Sequence, residues 1–316
     1  MIALGSASDP FERRVEAALE RISWGGRPGR FALAAAPVAS PTHRAVASDC
    51  VRVEIEGQAP VFLKIRHDDM AGDVLPWADA AAERAAACGV GPAVIAVGAG
   101  VLALEWLPAP WAYARLGDLQ SPTLAAAVLD AKARLHASGP LGHAFSPFER
   151  VTALAREARA AGAPLPPDLD RLLAAAELAR AAIAAAGIDA TFCHNDGIAS
   201  NVMLDRAGGV RLVDFDLAGD TDPWFDVGAF LNEACAFDAD RRALIEHHAG
   251  TCREPLFARA RLYGFLDDLM WGLWGITRAV TSPRPTIEFL KYAQWRHLRA
   301  RTTLAQRDFE TWLRIL

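Results

Sequence analysis

Two stretches of this chain carry residue types at spacings that do chemistry: His194-Asn195-Asp196-Gly197-Ile198-Ala199-Ser200-Asn201, and Val213-Asp214-Phe215-Asp216 at the end of an apolar run. Phosphoryl transfer asks for such a set. One aspartate accepts the proton of an attacking hydroxyl, and an asparagine five residues on, with a later aspartate, holds the magnesium that bridges the phosphates. The pattern His194-x-Asp196-xxxx-Asn201 followed by Asp214-Phe215 has the layout of a kinase catalytic loop and its metal-binding Asp-Phe pair. Asp196 is then the base, Asn201 and Asp214 are metal ligands, and His194 orients the loop through a hydrogen bond. A plainer reading makes Asp196 and Asn201 loop caps, since both residue types favour turns. A third takes His194, Asp196, Asp214 and Asp216 as a hydrolytic metal site, which leaves Asn201 without a role.

Such a loop needs a partner that holds the nucleotide's phosphates, a lysine on a strand paired with a helix glutamate. Val61-Phe62-Leu63-Lys64-Ile65 is an apolar strand interrupted by one lysine, and Glu83 lies in the next helical stretch. Glu105-Trp106-Leu107 closes the following strand, where a hinge presents backbone groups of Glu105 and Leu107 to adenine. A solvent-facing Lys64 with its stem along the sheet is the competing reading.

The elements that must position these residues follow from periodicity. Residues 10–22 carry apolar side chains at three- and four-residue intervals and read as a helix. Residues 30–36, 45–55, 61–66, 93–97 and 101–106 read as strands, with a helix over 77–88. Residues 1–107 thus form a small antiparallel-sheet lobe with one key helix. From residue 108 to 316 the helical period dominates, most clearly over 119–137, 147–161, 167–186 and 257–280, where alanine bias reflects helix propensity alone. The island 191–226 interrupts this lobe and holds two short β-like pieces, 201–204 and 210–215. Within Asp222-Pro223-Trp224-Phe225-Asp226, Asp226 reads as a helix N-cap, a place compatible with bracing the catalytic loop.

Composition narrows the classes. The 316 residues are 52% hydrophobic and 22% charged, which excludes disorder and collagen-like structure. A formal net charge of −5 without basic blocks lacks the footprint of a nucleic-acid binder. Five cysteines, Cys50, Cys88, Cys193, Cys235 and Cys252, are scattered with no CxxC pair, which argues against zinc and disulfides and for a reducing cytoplasmic setting. Residues 1–14 have no secretory pattern, and the apolar stretch 85–104 is broken by Gly89, Gly91, Pro92, Gly98 and Gly100, so no membrane insertion is expected. His247-His248 and His67-Asp68-Asp69 lack partners at metal spacing and read as surface.

Beyond the kinase core, two segments resemble the choline/ethanolamine kinase branch of the aminoglycoside phosphotransferase-like kinases. Val213-Asp214-Phe215-Asp216 followed by Phe225-Asp226-Val227-Gly228 and Glu233 is similar to that family's IDFE…FDIG…E segment. Leu269-Met270-Trp271-Gly272-Leu273-Trp274-Gly275-Ile276 resembles its WGLWS segment, with Tyr292-Ala293-Gln294 downstream as in its YAQ. The resemblance implies a bilobal α+β protein-kinase-like fold and ATP- and Mg²⁺-dependent phosphorylation of a hydroxyl on a small cationic amino alcohol. It implies Lys64 paired with Glu83 on the phosphates, and Glu233, Trp271, Trp274 and Tyr292 around the ammonium group. Helical spacing supports part of this independently. Trp271 and Trp274 share a face with Asp267, and cation–π attraction to tryptophan suits a quaternary ammonium. The ordinary alternative for two tryptophans at this spacing is core packing.

The sequence also departs from that family. The stretch 36–44, where its glycine-rich phosphate loop belongs, contains two prolines and no glycine. Leu217 stands in place of an aromatic, and Ile198 in place of a polar residue. The glycine-free loop keeps open a pseudokinase-like module that binds a small ammonium ligand without turnover.

Overall fold

The computed structural model describes residues 1–35, 39–40 and 45–316. The glycine-free stretch 36–44 therefore lies, except for Ala39 and Ser40, outside the described residues. The fold is mixed α+β, as the sequence implies.

The N-terminal part is a six-stranded antiparallel sheet of β1 (Ile2–Ala3), β2 (Pro28–Ala35), β3 (Ser48–Ile55), β4 (Val61–Arg66), β5 (Val94–Gly98) and β6 (Val101–Glu105), in the spatial order β1-β2-β3-β4-β6-β5. Side chains of a strand alternate between faces, and here the two faces serve different cores. Val51, Val53, Leu63, Ile65, Val101 and Ala103 pack against Val15, Ala18 and Leu19 of helix α1 (Pro10–Leu19). Asp9 caps that helix by accepting the Glu12 N–H at 2.8 Å, as N-cap aspartates do. On the opposite face Leu102 and Leu104 meet Ala81, Ala82 and Ala85 of helix α2 (Ala78–Ala87) and join the large core of the C-terminal part. The sheet thus carries a helix on each face rather than a single one. Lys64 has Cys50 as its cross-strand neighbour in β3.

The C-terminal part is built around the 28-residue helix α9 (Glu254–Thr281). Packed on it are α5 (Pro147–Ala160), α6 (Leu169–Ala185), α7 (Pro223–Ala234), α8 (Asp238–Ala249), α10 (Phe289–Leu304) and α11 (Phe309–Ile315). The remaining two helices are α3 (Leu116–Leu119) and α4 (Pro122–His136). Glycines permit the closest approach: a Cβ on Gly228 of α7 would lie 2.7 Å from the Ala260 carbonyl oxygen of α9.

The island expected over 191–226 consists of short ladders. Strand β8 (Thr191–Cys193) pairs with β11 (Gly219–Thr221), and β9 (Val202–Leu204) lies between β10 (Val210–Leu212) and β7 (Ala112–Tyr113). Val210–Leu212 ends before Asp214, so the second apolar piece is shorter than its hydrophobicity suggests. Among the described residues no helix is long and apolar enough to cross a membrane.

Candidate active site

The loop between β8 and β9 is fixed from below by one carboxylate. Asp226 is fully buried within α7 and accepts the backbone N–H groups of His194 at 3.2 Å and Asn195 at 3.0 Å. It also takes Lys132 Nζ at 2.6 Å and His136 Nε2 at 2.9 Å, both from α4. Burial alone would raise this carboxyl, but Lys132 and His136 outweigh it and hold it well below the usual carboxylate range. Asp226 is therefore not the N-cap of α7. That cap is Asp222, which accepts the Trp224 N–H at 3.0 Å and is in turn held by Tyr263 Oη at 2.8 Å and by Arg259 Nε at 2.7 Å.

The loop is also fixed from its sides. Asn195 adopts φ 65°, a left-handed conformation an asparagine tolerates, and its side-chain amide donates to the carbonyls of Leu217 at 3.0 Å and Gly219 at 3.3 Å. Gly197 leaves no room for a side chain, since a Cβ there would lie 2.5 Å from the Ala229 carbonyl carbon. His194 is buried and lowered to about 4 by burial and by Lys132, so its ring is neutral. With Nε2–H donating to the Val213 carbonyl at 2.9 Å, Nδ1 accepts the Asp196 N–H at 3.3 Å. The ring also packs edge-on against Phe215 at 4.8 Å between centroids. A structural role for His194, joining the loop to the Asp214 segment, follows from these contacts.

Asp196 is half-buried, and its Oδ1 accepts the Ile198 N–H at 3.4 Å. Burial and the charges of Asp214 and Asp267 push its carboxyl up to about 7. Asn201 is buried with its amide nitrogen unpartnered. Asp214 stands at φ 69°, a conformation costly for a residue with a Cβ and found where surroundings impose it.

Lys64 is 6% exposed and lies 2.7 Å from Asp214 Oδ1 and 2.7 Å from Asp216 Oδ2. The two carboxylates together outweigh the burial that disfavours its charge. Burial raises both carboxyls, but Lys64 pulls Asp214 below its ordinary value, whereas Asp216, beside the Asp214 charge, stays above its own. The expected Lys64–Glu83 pair is not formed. Glu83 is exposed, because α2 turns its alanines toward the sheet. At the end of β6 the Glu105 N–H donates to the Ala93 carbonyl at 2.8 Å, and Leu107 lies half-buried just beyond.

Asp196 and Asp214 share a cavity with Asp73, Leu217, Trp271 and Trp274. The two indoles meet edge-to-face at 5.3 Å, and Trp274 Nε1 donates to Asp73 Oδ2 at 2.8 Å. The other expected cradle residues stand back from this cavity. Tyr292 is buried edge-on behind Trp274 and accepts from Arg296 Nε at 3.0 Å, while Glu233 is half-buried on α7. Asp267 accepts from Arg296 Nη1 through Oδ2 at 3.0 Å, while its buried Oδ1 has no hydrogen-bond partner among the described residues. The residues that sequence reasoning missed are Asp73, Arg66, Lys132 and Arg296, all acting through contacts remote in the chain. His67 and His248 are half-buried rather than superficial. His67 lies 3.0 Å from Arg14 Nη1, and His248 packs edge-on against Trp224 at 5.8 Å.

The chain is similar to several known proteins. Ethanolamine kinase 2 of Rattus norvegicus is 29% identical over 122 residues, 32% of this chain, and the match spans only 31% of that relative's length. A choline/ethanolamine kinase family protein from Mesorhizobium loti superposes with a TM-score of 0.72 at 22% identity, over 86% of this chain and 90% of its own. The choline kinase LicA from Streptococcus pneumoniae gives 0.73 at 15% identity, over 94% and 99%. These likenesses establish the protein-kinase-like fold. The model of the phosphotransferase enzyme family matches residues 43–265, which is most of the chain, and the chain belongs to that family.

Proposed function

We propose that this chain transfers the γ-phosphoryl group of ATP to the hydroxyl of a small cationic amino alcohol of the choline/ethanolamine type. The observation that carries this reading is the shared cavity, in which the carboxylate placed to act as base, Asp196, and the indole pair Trp271–Trp274 line one space. Indole faces suit an alkylammonium group, and the base must then lie within reach of its hydroxyl.

In the proposed reaction the acceptor oxygen attacks the γ-phosphorus, the bond to the β–γ bridging oxygen breaks, and ADP leaves with that electron pair. The hydroxyl proton passes to Asp196. A carboxyl pushed up to about 7 by burial is a stronger base than an ordinary aspartate once ionised. Lys64 contacts the phosphates, and the backbone of Glu105 and Leu107 receives the adenine. Asn201 and Asp214 would hold magnesium. Their donors are hard oxygens, and the buried Asn201 amide nitrogen has no hydrogen-bond partner among the described residues. When bound, the ion offsets charge on the phosphate oxygens. Residues 1–107 serve as the nucleotide lobe and 108–316 as the catalytic and acceptor lobe.

The test is ADP release from MgATP with ethanolamine, choline and an aminoglycoside as separate acceptors. Turnover with an amino alcohol, abolished in Asp196→Ala, is expected. Turnover with the aminoglycoside alone, or ligand binding with no ATP binding at all, would overturn the assignment.

A further inference from the structure

Lys64 is 6% exposed, and Glu83, the helix glutamate that the kinase layout offers, is exposed and forms no ion pair with it among the described residues. The two partners of Lys64 are Asp214 and Asp216, each at 2.7 Å. Resting on the kinase reading above, Asp214 is the carboxylate that magnesium would claim, which would leave one anion to hold the ammonium. Asp216 is built for that. Its second oxygen lies 3.6 Å from Arg66 Nη2, and Arg66 is clamped by Asp79 of α2 at 2.6 Å. Its backbone carbonyl accepts the Leu75 N–H at 2.9 Å. Phe215, between the two aspartates, is buried against His194, so the segment cannot swing away.

We infer that Asp216 is the positioning residue that aims Lys64 at the nucleotide phosphates, in place of the helix glutamate, and that α2 reaches the site through Asp79 and Arg66 instead of through Glu83. The chain of contacts is Asp79–Arg66–Asp216–Lys64. It joins α2, β4 and the Asp214 segment, so the lysine is preset without any movement of α2 toward the sheet. An ammonium held by a carboxylate on one side presents its remaining N–H donors to the phosphates on the other.

The experiment measures ATP binding by calorimetry, over Mg²⁺ concentrations from none to saturating, and steady-state kinetics for wild type, Asp216→Asn, Asp216→Glu and Glu83→Gln. In Asp216→Asn, ATP affinity falls at least tenfold with saturating Mg²⁺ and by less without it, where Asp214 still holds Lys64, the acceptor KM stays within threefold, and Asp216→Glu recovers most of the loss. The loss in Asp216→Asn exceeds that in Glu83→Gln by tenfold or more. A rise in the Mg²⁺ concentration needed for half-maximal ATP binding, with the affinity at saturating Mg²⁺ unchanged, would make Asp216 a metal ligand and overturn the inference, as would equal losses in the two substitutions or wild-type affinity in Asp216→Asn. If Asp216→Asn does not fold, Arg66→Gln carries the test, with ATP affinity reduced about threefold expected and no change overturning. Wild-type protein that binds no ATP would instead refute the kinase reading itself, and the inference with it.

Discussion

Replacing Asp226 by asparagine separates what holds the catalytic loop from what stabilises the fold. Four donors converge on its carboxylate, from Lys132, His136 and the backbone of His194 and Asn195. Asparagine keeps the shape but removes the charge and turns one acceptor into a donor. Lys132, 1% exposed, is then a buried cation without compensation, and breaking a buried pair in this way costs about 3–5 kcal/mol. At roughly 2–4 °C per kcal/mol for chains somewhat shorter than this one, the melting temperature should fall by on the order of 10 °C. The depressed Asp226 carboxyl contributes fully above its unfolded value, about 3.9, and its contribution is lost only below that, so the deficit should not change between pH 7 and pH 9. Activity should fall as well, by about a hundredfold, because the loop backbone next to Asp196 loses its anchor. Adding Lys132→Met should return much of the stability by removing the stranded charge, and none of the activity. Thermal unfolding followed by circular dichroism, with kinetics on the same preparations, reads both. A single variant melting within 2 °C of wild type, or a double variant that regains activity along with stability, would refute the reasoning.

Three further outcomes are expected. Gly197→Ala places a methyl against the backbone of Ala229 and Phe230, with contacts of 2.5 and 2.6 Å, so the loop must move and kcat should drop at least tenfold; wild-type kcat in a folded variant would show the loop tolerates the shift. Burial and Arg301 lower His297 to about 4, so it is neutral in the fold and charged in the unfolded chain between that value and about 6.5. Its contribution is complete above pH 6.5 and is lost as pH falls, so urea denaturation of wild type should lose about 1–2 kcal/mol more than His297→Gln between pH 7 and pH 5, and parallel losses would exclude this role. Finally, a cationic acceptor favours the ionised form of Asp196, so the acid limb of kcat should lie at lower pH than that of kcat/KM for the acceptor; coincident limbs would mean the cation sits away from the base.

Much of the site was legible because its pieces are local. The β4 alternation places Lys64 opposite Leu63 and Ile65, and the loop 194–201 is one short segment whose His194 ring bonds both its own Asp196 and the Val213 carbonyl next to Asp214. Glu83 failed for a reason the sequence also contains. At about 100° per residue, Ala78, Ala81, Ala82 and Ala85 define the inner stripe of α2, and Glu83 falls roughly 150° from its centre, whereas Asp79 lies on its flank within reach of Arg66. The order of elements suggested the pair, but the helical phase forbids it. Asp222-Pro223 likewise carries the N-cap and first-turn proline signature that Asp226 lacks. What no local pattern reveals is pairing across the chain. Asp73 meets Arg278 205 residues away and Arg150 77 residues away, both at 2.8 Å, and nothing in the turn after β4 marks it.

Those remote pairs also decide which charge a cationic acceptor meets. Of the carboxylates lining the cavity, Asp73 is paired with Arg150 and Arg278, and Asp214 and Asp216 are both paired with Lys64. Asp267, one turn from Trp271, is held by Arg296. Asp196 alone among the lining carboxylates has no lysine or arginine at contact distance in the described structure, so the unpaired carboxylate of the cavity is the one proposed as the base. In the proposed reaction, recognition of the ammonium would fall to the indoles, whose faces attract a cation without a counter-ion, and to Asp196 itself. A ligand cation near a carboxyl that burial has pushed up to about 7 draws it toward ionisation. In the proposed reaction, binding the acceptor and readying the base would be the same electrostatic event, and a neutral alcohol of equal size would obtain neither.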